Sequence, residues 1–347
     1  MSRQTGWAFT DVTPLEMEPM NSKEPRTMRA MGLRTICLSL IFLSPLTSQS
    51  GEGRVRSETR VLFLGDSITA AAQYVNDIET AVLLQANREP VPRIISLGLG
   101  SETASGLSEK SHPFPRPTVH ERLDRVLATV QPDVVVACYG MNDGIYQPYS
   151  KERIAAYQEG VLLLITKAHM AGARVILLTP PPYAGKTSDA GESPEAVEYD
   201  YRVPFPAYDA VLAKYAEWIM TLDEMDGVET IDIRTPMLVA IAESYGEDPI
   251  HPNPHGHRVM ATAVLAEWNE IIPKHAAVDL KTLTKSKQWD ELHRLVTRRR
   301  NVYDRKLLWE IGHKRPGDAP KGTLDEAATE AARIGGQIEK LLKASRD

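Results

Sequence analysis

From residue 60 onward the chain alternates between short apolar runs and longer segments with helical spacing. "RVLFLG" at 60–65, "PRIISLG" at 92–98, "DVVVACYG" at 133–140 and "ARVILLTPPP" at 173–182 read as buried strands, and "VETIDI" at 228–233 as a shorter fifth. Segments 74–87, 118–129, 152–172, 207–222 and 256–272 carry apolar residues at helical spacing, as at 119, 123, 126 and 127. Strands that stay apolar without alternating are buried on both faces. Their regular exchange with helices predicts a parallel sheet between two helical layers. Reactive groups in such sheets collect beyond the carboxyl ends of the strands. The residues directly after each run therefore carry the functional question.

Two regions fall outside this alternation. Residues 274–347 show apolar positions at 289, 292, 295, 296, 302, 303, 307, 308 and 311, followed by Thr323 and Glu326 in capping-box spacing. This predicts a helical C-terminal extension packed on the main domain, with Gly335-Gly336 weakening its last helix. At the other end, Arg29 and Arg34 precede an apolar stretch, Ile36 to Leu46, and Ser48-Gln49-Ser50 supply small residues for cleavage. Residues 1–50 thus read as a leader and secretory signal peptide, and the mature chain is expected to start near Gly51, secreted or periplasmic. An uncleaved anchor is the alternative, although the apolar run is short for a membrane span and no stable insertion is expected. The main domain is expected over 58–272.

Composition narrows the class. Apolar residues at 42% and charged residues at 25% describe an ordinary globular chain with ample core. A net charge of -6 gives no basic footprint of the kind nucleic-acid binding leaves. The cysteines are Cys37 and Cys138. Cleavage of the signal would leave Cys138 alone, in an apolar run where it reads as a core residue rather than a nucleophile. The polar segment 183–206 is long enough to border a site.

The strand ends hold the chemistry. The first run is followed by Asp66-Ser67, the second by "LGSETASG", the third by "GMND", and the last loop reads "GEDPIHPNPHGH". A serine hydroxyl becomes a nucleophile when a base takes its proton, and a carboxylate holds an imidazole base in the right tautomer. Ser67, a histidine and an aspartate of the last loop, and Asn142 as an amide donor could supply this from separate strand ends. Bland readings stand beside it: Ser67 as a helix cap, Asn142-Asp143 as a turn pair, Asp66 as a structural group in the turn. His255 and His257 rival His251, and Asp232 and Glu247 rival Asp248. A metal cluster of Asp248, His251, His255 and His257 is not expected, because Pro252 and Pro254 break any shared helical face.

"GDSIT" at 65–69, "GMND" at 140–143 and "DPIHPN" at 248–253, in that order, resemble the SGNH (GDSL-type) hydrolase superfamily. The resemblance spans roughly residues 58–272. It implies a flavodoxin-like three-layer α/β/α fold with a five-stranded parallel sheet. It also implies a serine esterase, lipase, thioesterase or carbohydrate deacetylase. Matched residue by residue, Ser67 falls on the nucleophile, His251 on the general base and Asp248 on its orienting carboxylate. The Ser67 amide and the Asn142 side chain fall on oxyanion donors. The second block departs from the family pattern: Ser96 stands where Asn is common, and Ser101 stands before Glu102-Thr103. A backbone amide can come from any residue but proline. The Ser101 amide is therefore the expected third donor, with Gly100 as its rival.

The function expected is a secreted serine esterase acting on small-molecule or polysaccharide esters, carbohydrate acetyl esters first among them, without cofactor or metal. The alternatives are a lipase or thioesterase on acyl lipids, and a non-catalytic carbohydrate-binding protein on the same fold. Arg298-Arg299-Arg300 reads as a solvated helix face, with an acidic sugar polymer as the rival partner.

Overall fold

Five strands form one all-parallel sheet: β1 (Arg60–Gly65), β2 (Arg93–Ser96), β3 (Val134–Cys138), β4 (Arg174–Leu178) and β5 (Val228–Ile231). The computed structural model describes residues 59–85, 91–185, 198–267 and 280–344, so the expected leader and signal peptide lie outside the described residues. The spatial order is β2-β1-β3-β4-β5, the flavodoxin-like winding of a doubly wound sheet. Its direction of winding reverses between β1 and β3, where Gly65 lies in register with Cys138. Ligands of such sheets bind at that switch point, outside the carboxyl ends of both strands. Val61 to Leu64 and Val134 to Cys138 are all buried, which is why these strands read as unbroken apolar runs.

The helices are α1 (Ser67–Ala70), α2 (Gln73–Gln85), α3 (Leu123–Val130), α4 (Lys151–Met170), α5 (Tyr208–Met220), α6 (Arg234–Val239), α7 (Ile241–Ser244), α8 (Pro254–Glu267), α9 (Leu280–Leu283), α10 (Lys287–Ile311) and α11 (Leu324–Ala344). Four differ from the sequence expectation because α1, α6, α7 and α9 are one or two turns long, too short to show a period. The helix expected over 118–129 starts instead as a 3-10 turn, Val119–Glu121, and re-forms as α3 after Arg122. The Arg122 side chain explains the break: it turns inward to the buried carboxylate of Glu102.

The C-terminal extension contributes α10 and α11, which pack on each other and, through α10, on α2 and β2. The capping box forms as read: the Glu326 amide donates to Thr323 Oγ1 (3.2 Å) and the Thr323 amide to Glu326 Oε2 (2.8 Å). Gly335-Gly336 does not interrupt α11. Buried Ile334 and Ile338 flank the pair and pack with Leu292, Leu295 and Val296 of α10, so tertiary burial outweighs the local propensity cost. No helix among the described residues is long and apolar enough to cross a membrane.

Candidate active site

The turn after β1 sets the position of Ser67. Gly65 sits so close to the first turn of α1 that a Cβ there would lie 2.2 Å from Thr69 Oγ1 and 2.6 Å from the Cys138 carbonyl oxygen. Only glycine fits this approach. Asp66, not Ser67, is the N-cap of α1: its Oδ1 accepts the Ile68 amide at 2.9 Å. Ser67 is thus released from capping, half-buried, at the first helical position, where its own amide has no intrahelical acceptor.

Asp66 itself is buried, and burial pushes its carboxyl from 3.8 up to about 7, against the Ile68 hydrogen bond and helped by the nearby Asp143 charge. The folded chain therefore holds this proton more tightly than the unfolded chain. The stability it contributes is full below about pH 4 and is lost as pH rises through about 7. Asp66→Asn keeps the acceptor for Ile68 and removes the ionisation. Urea unfolding at pH 5 and pH 8 should show a smaller drop in stability for the variant than for the wild type, by about 2–3 kcal/mol. Identical drops would mean that Asp66 stays ionised in the folded chain.

The last loop reaches Ser67 from 184 residues away. His251 Nε2 lies 2.8 Å from Ser67 Oγ, and His251 Nδ1 lies 2.7 Å from Asp248 Oδ2. Asp248 Oδ1 also accepts the amides of Ile250 (2.8 Å) and His251 (3.2 Å), which folds the tetrapeptide into a tight turn. Partial burial works against the Asp248 carboxylate, but the hydrogen bonds from His251 and the two amides outweigh it and hold its pKa below the ordinary value. An ionised carboxylate can only accept. In the neutral imidazole the Nδ1 of His251 therefore carries the proton, which leaves Nε2 to accept from the Ser67 O–H. The loop is pinned on both sides: Asn253 caps α8 by accepting the amides of His255 and Gly256, and the Ala184 amide donates to the Pro249 carbonyl. That last contact sets the start of segment 183–206 against the His251 loop; residues 186–197 lie outside the described residues.

The rivals are placed elsewhere. His257 is buried and stacked on Tyr74, and burial drives its pKa down to about 4, which keeps it neutral. His255 is exposed at the start of α8. Asp232 accepts the amides of Arg234 and Thr235 at the start of α6. Among the described residues no group of three or more His, Cys, Asp or Glu side chains could hold a metal ion.

The loops after β2 and β3 meet beside Ser67 through a joint that the sequence did not reveal. Buried Asp143 accepts the amides of Ala104 (2.8 Å) and Ser105 (2.7 Å) on Oδ1 and of Gly140 (2.9 Å) on Oδ2. Burial still lifts its carboxyl to about 6. Behind it, Arg122 donates twice to Glu102, at 2.6 Å each, and Tyr139 adds a third donor at 2.6 Å, all in the interior. These bonds hold segment 101–105 against 140–143, and so bring Ser101 and Asn142 to one wall.

Asn142 is buried and its amide is oriented: Nδ2 donates to the Glu102 carbonyl (3.1 Å), and Oδ1 accepts from the Tyr146 hydroxyl (2.8 Å). The second Nδ2 hydrogen has no acceptor among the described residues. The Gly100 and Ser101 amides likewise have no acceptor among the described residues. Ser101, Ile145 and Tyr146 all have positive φ, at 67°, 45° and 58°. Left-handed backbone costs a non-glycine residue roughly 1 kcal/mol or more, and a β-branched isoleucine is the least suited to it. Such strain persists where surrounding contacts over-determine it, and it clusters at functional sites.

Against known proteins, the chain matches the GDSL-like lipase/acylhydrolase family model over residues 63–259. No curated protein matches it. Among solved structures it is similar to a catalytic mutant of the acetylxylan esterase Axe2 from Geobacillus stearothermophilus, at 20% identity over 64% of this chain and 99% of that one, with a TM-score of 0.47. A gut microbial diltiazem-metabolizing enzyme, BT4096, gives 23% identity over 60% of this chain and 46% of that one, with a TM-score of 0.45. A protein of Bacteroides fragilis described as an acylhydrolase gives 19% identity over 60% and 86%, with a TM-score of 0.41. The family match covers more than half of the chain, including the turn at Ser67 and the loop at His251: this protein belongs to the GDSL-like lipase/acylhydrolase family and is a serine hydrolase acting on ester bonds.

Proposed function

We propose that Ser67, His251 and Asp248 are the catalytic residues of an esterase that removes short acyl groups, acetyl above all, from carbohydrate. The observation that carries the reading is the unbroken hydrogen-bonded series from Asp248 through His251 to Ser67 Oγ. In the first half-reaction His251 Nε2 takes the Ser67 proton as Oγ bonds to the ester carbonyl carbon. The resulting oxyanion lies against the Ser67 amide, the free Asn142 Nδ2 hydrogen and the Ser101 amide, with Gly100 as the alternative donor. His251 then gives its proton to the departing alcohol oxygen, leaving the acyl group on Ser67. Water repeats the sequence and releases the acid. Asp248 keeps the imidazole in the productive tautomer and offsets its charge when it is protonated.

Two features favour a short acyl group. His251 and Asp248 side chains are 45% and 55% exposed, so the site is an open rim. The chain also holds five phenylalanines, few for a lipid groove. Hydrolysis rates on p-nitrophenyl acetate, butyrate and octanoate test this. The expected order falls with chain length; octanoate as the best substrate would replace the reading with a lipase.

The same reading makes Tyr146 a positioning residue for Asn142. Tyr146→Phe leaves Asn142 Oδ1 without its donor and frees the amide to rotate. The expected result is a roughly tenfold lower kcat with KM nearly unchanged, the scale of one neutral hydrogen bond acting on the transition state. A change confined to KM would instead place Tyr146 in substrate binding.

A further inference from the structure

The C-terminal extension reaches the rim of this site. Past α10, Arg125 donates to the carbonyls of Ile311 (2.8 Å) and Gly312 (3.0 Å), and Lys314 pairs with Glu121 at 2.7 Å. Further on, Lys306 donates to the Pro320 carbonyl at 3.2 Å. The loop between these anchors brings Arg315 over the Phe114 ring, 5.7 Å from its centroid. It also brings Arg315 against Gly100, where a Cβ would lie 3.1 Å from Arg315 Nε. Gly100 precedes Ser101, and both residues carry backbone amides without an acceptor among the described residues.

Arg315 differs from the other arginines on this wall. Arg116 is paired with Glu109 and Arg122 with Glu102, each at 2.6 Å. Arg315 forms no ion pair among the described residues, its Nε is buried without an acceptor, and the one hydrogen bond of its side chain among them runs 3.3 Å from Nη1 to the carbonyl of Pro316. A partly desolvated guanidinium with unmet donors is costly unless an anion satisfies it. Nearby, burial lowers the His112 pKa; Arg116 and Arg315 act in the same direction, and the Phe114 carbonyl and Glu109 act against it.

We propose that Arg315 is a specificity-determining residue that binds a carboxylate on the substrate, so that the enzyme prefers acyl esters of acidic sugars. The planar fork of a guanidinium matches a carboxylate through paired, charge-assisted hydrogen bonds. This proposal rests on the placement of the reacting ester at Ser67 and the 100–101 amides. Because the contact holds the substrate before and during reaction alike, it acts on KM more than on kcat.

The test compares acetate release from an acetylated methyl glucuronoside and from the matching methyl glucoside, with the full chain. Wild type should favour the glucuronoside in kcat/KM by at least about tenfold, the scale of one hydrogen bond to a charged group. The preference should shrink with added salt. Arg315→Gln should bring the ratio near one, and Arg315→Lys should restore part of it. A purely structural Arg315 predicts a lower melting temperature in Arg315→Gln with the ratio unchanged, and that result overturns the proposal. So does a wild-type ratio near one, which needs no variant to fold. Turnover of p-nitrophenyl acetate with no preference between the sugars, or no release from either, overturns the Arg315 proposal alone. Failure on every ester tried removes the esterase reading together with it.

Discussion

Ser67→Ala should lower kcat on p-nitrophenyl acetate by about 10⁴ to 10⁶, the range found when a serine hydrolase loses its nucleophile or its base. Its stability should stay within about 0.5 kcal/mol of wild type. The two halves of this expectation are separable because of Asp66. Had Ser67 been the cap of α1, its removal would cost about 1 kcal/mol and leave turnover largely intact. The cap is Asp66, whose Oδ1 holds the Ile68 amide, and Ser67 bonds instead to His251. Truncating the hydroxyl leaves His251 Nε2 facing solvent, since the imidazole is 45% exposed, so no buried group is orphaned. Turnover and melting temperature measured on one sample decide the matter. Full turnover in Ser67→Ala would end the assignment of Ser67 as nucleophile.

The features legible in the sequence are those that depend on short-range pattern. β1 and β3 are buried on both faces, so they stand out as apolar runs, and the residues just past each run mark the switch point. The turn Asp248-Pro249-Ile250-His251 is local, so one short motif carried both residues of the pair that the family resemblance implies. The supports of the site are long-range and left no such mark. Asp143 looks like half of a turn pair, yet it ties two loops through three amides. Glu102 and Arg122 are twenty residues apart in unrelated segments and meet only because the loop after β2 and the turn before α3 pack together. The hydroxyl of Tyr146 orients Asn142 from a backbone conformation that no propensity favours. The Gly335-Gly336 pair failed as a signal for the same reason in reverse: local cost was visible, and the packing that outweighs it was not.

The run Arg298-Arg299-Arg300 is where local reading went furthest astray, and it carries the second large effect. Its three members share one turn of α10 and differ in surroundings. Arg298 pairs with Glu330 at 2.7 Å and stays 48% exposed. Arg300 is buried: it donates to Asn76 Oδ1 at 2.6 Å, to Asp304 Oδ2 at 2.7 Å and to Glu79, which also meets Arg299. Asp304 in turn accepts the Ser96 amide of the edge strand β2 at 2.8 Å. One guanidinium thus joins α10 to α2 and, through Asp304, to the sheet. Burial raises the Asp304 pKa, and the Arg300 charge and the Ser96 amide act against it. Arg300→Met keeps the volume and leaves both carboxylates buried, Glu79 with Arg299 and Asp304 with only the Ser96 amide. The expected loss is about 3–4 kcal/mol in urea unfolding, the scale of a broken buried pair. The described residues all fall within one compact unit, so the loss should appear as an earlier single transition and not as a separate melting of the extension. Arg298→Ala, on the exposed side of the same turn, should cost no more than about 0.5 kcal/mol, as exposed pairs do. Equal losses for the two variants would mean that Arg300 is solvated like its neighbour, and that α10 is held on the main domain by its apolar face alone.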